Sequence, residues 1–391
     1  MTDSEKPYIP YSRQWIDEED IGEVAAVLRS EWLTTGPQVK EFEEAVARFV
    51  GARHAVAVSN GTAALHAAVY ALGIGPGDEV IAPPMTFVAT ANAVVFQGGL
   101  PVFADVEPDT LLLDPARVEA KIGPRTRAII AVDYAGQPCD YEALRAIAGR
   151  HGLDLVADAC HALGAQYQGT KAGALADLTT FSFHPAKHLA TGEGGMVTTD
   201  NPEFAEKMRR FRNHGISTDL RQRLEKGTWH YEMVDLGYNY RLTDMQCALG
   251  LSQLRKLPAW LARRQAIARR YGELLQNLPQ VSLLAVRANR VHAYHLYVIL
   301  LNLEDLKAGR DEIFLAMREE RIGVNVHYQP VHLHPYYRRR FQTGPGDCPV
   351  AEKAFQRILT LPMFPAMSDH DVDRVATSLA KVIRRCSRGG G

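Results

Sequence analysis

The stretch SFHPAKHLATGEGG, from Ser182 to Gly195, decides how this chain is read. It begins on the end of LTTFSFH, a β-branched and aromatic run that suits a buried strand, and it finishes in a glycine-rich bend. Lys187 stands between the two. A solvated surface lysine needs no such setting. An amine that must meet a flat, reactive ligand and then release it does, because a lysine becomes a nucleophile only after losing its proton.

Outward from this point, the first part of the chain alternates helical and extended patterns. EEDIGEVAAVLRS and QVKEFEEAVARFV carry apolar residues at helical spacing, and HAVAVSNG reads as a strand ending in a turn. TAALHAAVYALG is a helix closed by Gly73, EVIAPP a strand, FVATANAVVFQG a helix and LPVFADV a strand. RAIIAVDY, LDLVADAC and LTTFSFH are further apolar β-rich runs. Strands separated by helices call for crossover connections and a largely parallel sheet. Chemistry in such sheets gathers at the carboxyl ends of the strands, where Asn60, Asp158 and His184 fall.

The pattern changes from about Leu251. LPAWLARRQAIARRYGELLQNL reads as a long charged helix bridging out of the first domain, followed by HLYVILL, a helix near DEIFLAMREERIG and a closing helix from about Ser368. With 391 residues, two domains are expected: 1–255, binding the ligand, and a smaller α+β domain over 256–391, with the N-terminal segment able to pack on the latter. Lys plus Arg number 44 against 45 Asp plus Glu, a balance that argues against a nucleic-acid partner. MTDSEKPYIP lacks a signal-peptide pattern, no apolar run approaches membrane-spanning length, and the five scattered cysteines read as free thiols of a cytoplasmic protein. The tail RRCSRGGG reads as a frayed end.

Three features suit one ligand, pyridoxal 5′-phosphate (PLP). Lys187 would form an imine with its aldehyde. Asp158 ends the buried-looking strand LDLVAD, where a carboxylate is costly unless paired; a protonated pyridine nitrogen would pair it and keep the ring an electron sink. SNGTAALHAA offers the backbone N–H groups of Gly61, Thr62 and Ala63 at a helix start to an anion, with the Ser182 hydroxyl beside them. Each feature has a plainer reading. Asp158 suits a helix N-cap, SNGT a simple turn, His161 a core or capping histidine, and GEGG a flexible bend. Their combination in order favours the ligand.

DACHALGA, FSFHPAKHLATGEGG, GYNYRLTDMQCALGLSQL and TFVATANAV together resemble the nucleotide-sugar aminotransferases of the DegT/DnrJ/EryC1/StrS family over nearly the whole chain. The resemblance implies the fold-type I aminotransferase architecture: a large domain with a mostly parallel seven-stranded sheet flanked by helices, a smaller α+β domain, and a homodimer with active sites at the subunit interface. It makes Lys187 the cofactor-binding and proton-shuttling lysine and Asp158 the pyridinium partner. His161 would lie at the ring's phenolic oxygen side and Phe87 would stack on the ring, with core packing as its competing role. Asn239 would reach the phosphate of the neighbouring subunit, with Arg241 helping there or holding the donor's carboxylate.

VDYAGQ, SFHPAK and VNVHYQPVHLHPYY resemble the branch of the family acting in the pseudaminic acid pathway. That branch implies a UDP-linked 2-acetamido-2,6-dideoxy-hexos-4-ulose as substrate, L-glutamate as donor leaving as 2-oxoglutarate, and pyridoxamine phosphate as the alternating cofactor form. Tyr11, the stretch Glu31, Trp32, Leu33 and Thr34, and the loop Val326, His327, Tyr328 and Gln329 would then line the sugar-nucleotide pocket, with Gly61, Ser182, Asn239 and Arg241. Cys160 and His188 depart from the family's commoner residues. His327, His332 and His334 raise a zinc reading, but Pro330 and Pro335 break any regular face, and no metal is expected. A sugar dehydratase is disfavoured, since such relatives carry histidine where Lys187 stands, and a non-catalytic PLP- or sugar-binding regulator is the reading from another class.

Overall fold

The computed structural model describes residues 7–218 and 220–388. In chain order its strands begin with β1 (His54–Val58), β2 (Glu79–Ala82), β3 (Leu100–Phe103), β4 (Thr126–Val132) and β5 (Asp154–Asp158). A small hairpin, β6 (Gln166–Tyr167) and β7 (Thr170–Lys171), precedes β8 (Leu178–Ser182) and β9 (Gly195–Thr199). β10 (Val281–Leu283), β11 (Arg290–Val291), β12 (Tyr297–Leu301) and β13 (Ile358–Leu361) complete the set.

Seven of these form one sheet in the order β1-β9-β8-β5-β4-β2-β3. The pairs β2–β3, β2–β4, β4–β5 and β5–β8 are parallel, and β9 alone runs against its neighbours β8 and β1. This is the fold-type I sheet that the motifs imply. β4 shows why the chain builds it: Ala128 to Val132 are all buried, as expected of a parallel strand covered on both faces. Each such Val or Ile contributes roughly 1.5–3 kcal/mol by leaving water.

The helix Gly61–Ala71 covers one face with alanines, Ala63, Ala64, Ala67, Ala68 and Ala71, whose small side chains admit close packing. It meets β8 and β9, the strands that flank the Lys187 segment.

A second sheet, β10-β12-β13, is antiparallel and packs with the helices Arg310–Glu319 and Asp369–Cys386 around a separate apolar cluster. Ile9 joins that cluster and pairs with Ile322. The long helix Asp244–Leu275 joins the two cores: Cys247, Leu254 and Leu257 lie in the first, Ile267, Tyr271 and Leu275 in the second. It begins at Asp244, well before LPAWL, because Thr243 and Gln246 form a capping box there, and Pro258 is carried inside it. The segment after residue 255 also enters the first core through Ala293, Leu296, Val331 and Tyr337.

The tail is more ordered than its composition suggests. The last helix runs to Cys386, and Arg388 N donates to Asp305 O at 3.0 Å. Residues 389–391 of that tail lie outside the described residues.

Candidate active site

β5 ends on Asp158, which is buried. Its Oδ2 accepts from Thr90 Oγ1 at 2.7 Å, and its Oδ1 accepts from the backbone N–H of Cys160 at 3.3 Å. Thr90 is held in turn by Thr86, Oγ1 to Oγ1 at 2.8 Å. Among the described residues the carboxylate makes no ion pair. Two donors orient it and its charge is left for a cation brought from outside.

The Lys187 amine is packed inside, although the residue as a whole is half-buried. Burial pulls its pKa below the usual lysine value, while the nearby Cys160 and Asp158 act in the opposite direction. Nζ lies 3.4 Å from His295 Nε2. His161 packs against His295, ring centroids 4.4 Å apart, and its Nε2 is 3.0 Å from the Tyr328 hydroxyl. Burial depresses the pKa of His161, His188 and His295 well below the ordinary imidazole value. Lys187 therefore faces buried imidazoles held neutral.

β8 ends on Ser182 beside the start of the helix Gly61–Ala71. A Cβ added at Gly61 would stand 2.8 Å from Ser182 Cβ, so glycine is what lets the hydroxyl and the helix N-terminus share one cradle. Gly195 is required for the same reason, since a Cβ there would meet Asn60 O at 2.3 Å. The GEGG bend is thus a close approach and not slack. Ala63 N, one of the three expected donors, bonds Asn60 Oδ1 at 2.8 Å, because asparagine caps its own helix. Gly61 and Thr62 stand beside Ser182 at this helix start.

The other named residues divide into two groups. Tyr328 N donates to Met85 Sδ at 3.5 Å, and the Phe87 ring, 56% exposed, overhangs the site 6.1 Å from the Tyr328 ring. Tyr11 packs 5.6 Å from His327, whose Nδ1 is 2.9 Å from Thr360 Oγ1; Val326 is half-buried and Gln329 exposed beside them. Glu31, Trp32, Leu33 and Thr34 sit instead at the start of the long helix: Thr34 pairs with Thr243, and Asp244 N donates to Leu33 O. Asn239 pairs by its backbone with Asn213, its side chain makes no hydrogen bond among the described residues, and Arg241 donates to Asn213 Oδ1 at 2.9 Å. Arg241 also lines a cavity of about 520 Å³ with Arg53, Arg209 and Arg212, which shares none of the neighbours of Lys187.

His332 bonds Glu352 at 2.9 Å, and His334 precedes the helix Pro335–Phe341, so these histidines face different partners from His327. No group of three His, Cys, Asp or Glu among the described residues is arranged to hold a metal. All five cysteines are free thiols. No helix of the described residues is long and apolar enough to cross a membrane. Sequence reasoning missed His295, Thr90 and Thr86; the only signal was the paired histidines of VHAYHLY and the threonines flanking Phe87.

A buried, oriented carboxylate without a cation among the described residues, an amine with lowered pKa beside it, and a serine hydroxyl at a helix N-terminus fit PLP. They define a fold-type I PLP enzyme. The DegT/DnrJ/EryC1/StrS aminotransferase family matches residues 14–380, and the chain belongs to it. It is 44% identical over 388 residues, 98% of this chain and 99% of the relative, to the spore coat polysaccharide biosynthesis protein SpsC of Bacillus subtilis. Among solved structures, the putative sugar aminotransferase Spr1654 of Streptococcus pneumoniae in its PMP form superposes with a TM-score of 0.91 at 32% identity, covering 96% of this chain and 99% of that one. PseC of Helicobacter pylori, an aminotransferase of pseudaminic acid biosynthesis, gives 0.90 at 33%, covering 97% and 100%. The protein is a PLP-dependent sugar aminotransferase.

Proposed function

We propose that the chain transfers the amino group of L-glutamate to C4 of a UDP-2-acetamido-2,6-dideoxy-hexos-4-ulose. The product is UDP-4-amino-4,6-dideoxy-N-acetyl-β-L-altrosamine, a precursor of pseudaminic acid, made in the cytoplasm by a homodimer. The observation that carries the reading is the Lys187 amine held near Asp158 and Cys160 with its pKa lowered by burial. The likeness to PseC supports the substrate.

PLP bound here supplies a carbonyl that captures amines and a ring that withdraws electrons from the bond being broken. Asp158, fixed by Thr90 and Cys160, holds the proton of the ring nitrogen by charge. Gly61, Thr62 and Ser182 hold the phosphate. Lys187, whose burial lowers its pKa and so favours loss of its proton, takes the α-proton of glutamate and later returns a proton to the sugar's C4. Tyr328, bonded to His161, closes the site from the C-terminal part of the chain. Phe87, exposed beside Tyr328, would cover the ring. Asn239, whose side chain makes no hydrogen bond among the described residues, would serve the phosphate of a second copy. In this reading 1–255 forms the cofactor-binding part and 256–391 the smaller part.

A second reading is favoured by SpsC, which is the more similar in sequence: aminotransfer to another keto nucleotide sugar, dTDP- or GDP-linked, at C3 or C4. A panel of UDP-, dTDP- and GDP-linked keto sugars with glutamate, scored by 2-oxoglutarate release, separates the two. We expect the UDP-linked 4-keto sugar to lead in kcat/KM by at least about tenfold, a single favourable pocket contact. A different leader sinks the UDP reading, and silence across the panel favours a non-catalytic binder.

A further inference from the structure

The segment carrying His295 is held from two sides. Ala293 N donates to Gly136 O at 2.8 Å and Leu296 N to Ala135 O at 3.1 Å. Gly136 has φ 108°, and a Cβ there would stand 2.9 Å from Tyr294 N and 3.0 Å from His295 N, so only glycine admits this contact. On the other side Arg264, fully buried in the long helix, donates through Nη1 to Tyr294 O at 3.0 Å, His295 O at 3.4 Å and Met363 O at 3.0 Å. Arg264 makes no ion pair among the described residues. A buried guanidinium spent on three carbonyls is an expensive fastening, and the backbone it fastens presents one side chain to the amine.

We propose that His295 is a positioning residue for the Lys187 amine: its Nε2 receives a hydrogen bond from the amine whenever the amine is free of the cofactor, and Arg264 and Gly136 set the height of that imidazole. The proposal rests on Lys187 being the proton-moving residue. After the amine has taken a proton from the substrate carbon it carries three N–H donors. His295 Nε2, 3.4 Å away, accepts one and so fixes the direction of the others. The proton stays on the lysine nitrogen, and no bond to His295 forms. The groups facing the amine are Asp158 and Cys160 from the end of β5, His161 and His327 across the gap, and His188 beside it in sequence. Burial holds these histidines and His295 neutral, and in the tautomer with its proton on Nδ1, a nitrogen buried without a partner among the described residues, His295 accepts through Nε2.

The test compares His295→Asn, whose shorter amide stops short of the amine, with His295→Gln, whose amide oxygen reaches the place of Nε2. In the full chain without cofactor, acylation of Lys187 followed against pH by peptide mass spectrometry reports the amine's apparent pKa. We expect H295N to lower it by about one unit, since an acceptor for the ammonium is lost, and H295Q to restore it. With cofactor loaded, kcat should fall about tenfold to a hundredfold in H295N at nearly unchanged KM, with recovery in H295Q. Arg264→Lys, which keeps the charge but not the fork, should shift the amine the same way by less, and it carries the test if H295N does not fold. Equal amine pKa values and equal kcat in the folded Asn and Gln variants overturn the proposal. Active Lys187→Ala enzyme would instead overturn the lysine's role and leave the pKa contrast standing.

Discussion

The pocket around Asp158 and the arm from Thr228 to Arg241 are built on opposite plans. In the pocket the working groups are held from within the chain: Thr90 on Asp158, His295 beside Lys187, Tyr328 on His161. The arm is tethered at its roots, with His214 N bonded to Tyr238 O, Val234 N to Gly215 O, and the Tyr70 hydroxyl to Asp235. Yet it presents Trp229 84%, Met233 66% and Leu236 67% exposed. Large apolar side chains gathered on one short segment mark a surface that a partner covers. In the proposed homodimer a second copy would cover the arm and bring its own Asn239 to the pocket.

The strongest way to break the comparison is to remove the one group that the pocket is organised around. Lys187→Ala should lower turnover by about a thousandfold or more, the scale of a lost acid–base group. Asp158, Thr90, Gly61 and Ser182 do not depend on it, so cofactor should still bind noncovalently, as equilibrium dialysis would measure. Substantial retained 2-oxoglutarate production would show that proton transfer belongs to another group.

A smaller effect is expected from the arm. Trp229→Ser combined with Leu236→Ser removes apolar surface and leaves every Lys187 contact intact. Sedimentation velocity should show dissociation at concentrations where the parent chain stays dimeric. Activity should then fall about tenfold on dilution and recover on concentration. If the parent chain sediments as a fully active monomer, the arm has another purpose and Asn239 no role across subunits.

How much of this was legible follows from where each contact is made. Asp158, Ser182 and Lys187 stand at ends of strands that LDLVAD and LTTFS announce through their own β-branched pattern. The cradle was legible as SNGT, but three free N–H groups were read where Asn60 takes one of them, although its capping habit is itself a local signal. His295 reaches Lys187, and Thr90 reaches Asp158, across long stretches of chain, and nothing near His295 in sequence singles it out from His292. Arg264 looked like one more charge on an amphipathic helix; its burial is a product of the two cores meeting around it. The helix start at Asp244 was masked by Pro258, which resembles a first-turn proline until Thr243 and Gln246 are seen capped together.

Acid distinguishes the two regions most gently. His161, His188, His292, His295 and His327 are buried on the pocket side, and His66 under the base of the arm; burial lowers every one, His292 and His327 to about 3 and His66 to about 4. A histidine whose folded pKa lies below its unfolded value of about 6.5 stays neutral in the native state while the unfolded chain takes up protons, so stability is kept above about pH 6.5 and lost as pH falls. Asp133 opposes this. Burial raises its carboxyl to about 7, so it favours the folded state more as pH falls from 7 toward the ordinary aspartate value. Five histidines against one aspartate on the pocket side leave a net loss. The melting temperature should drop by several degrees between pH 7 and pH 5 under calorimetry, and His327→Gln, which removes one neutral-only imidazole, should shrink the drop. A melting temperature that is flat or rises over that interval would mean that the pocket histidines take up protons in the native state, and that the imidazoles around Lys187 are not held neutral.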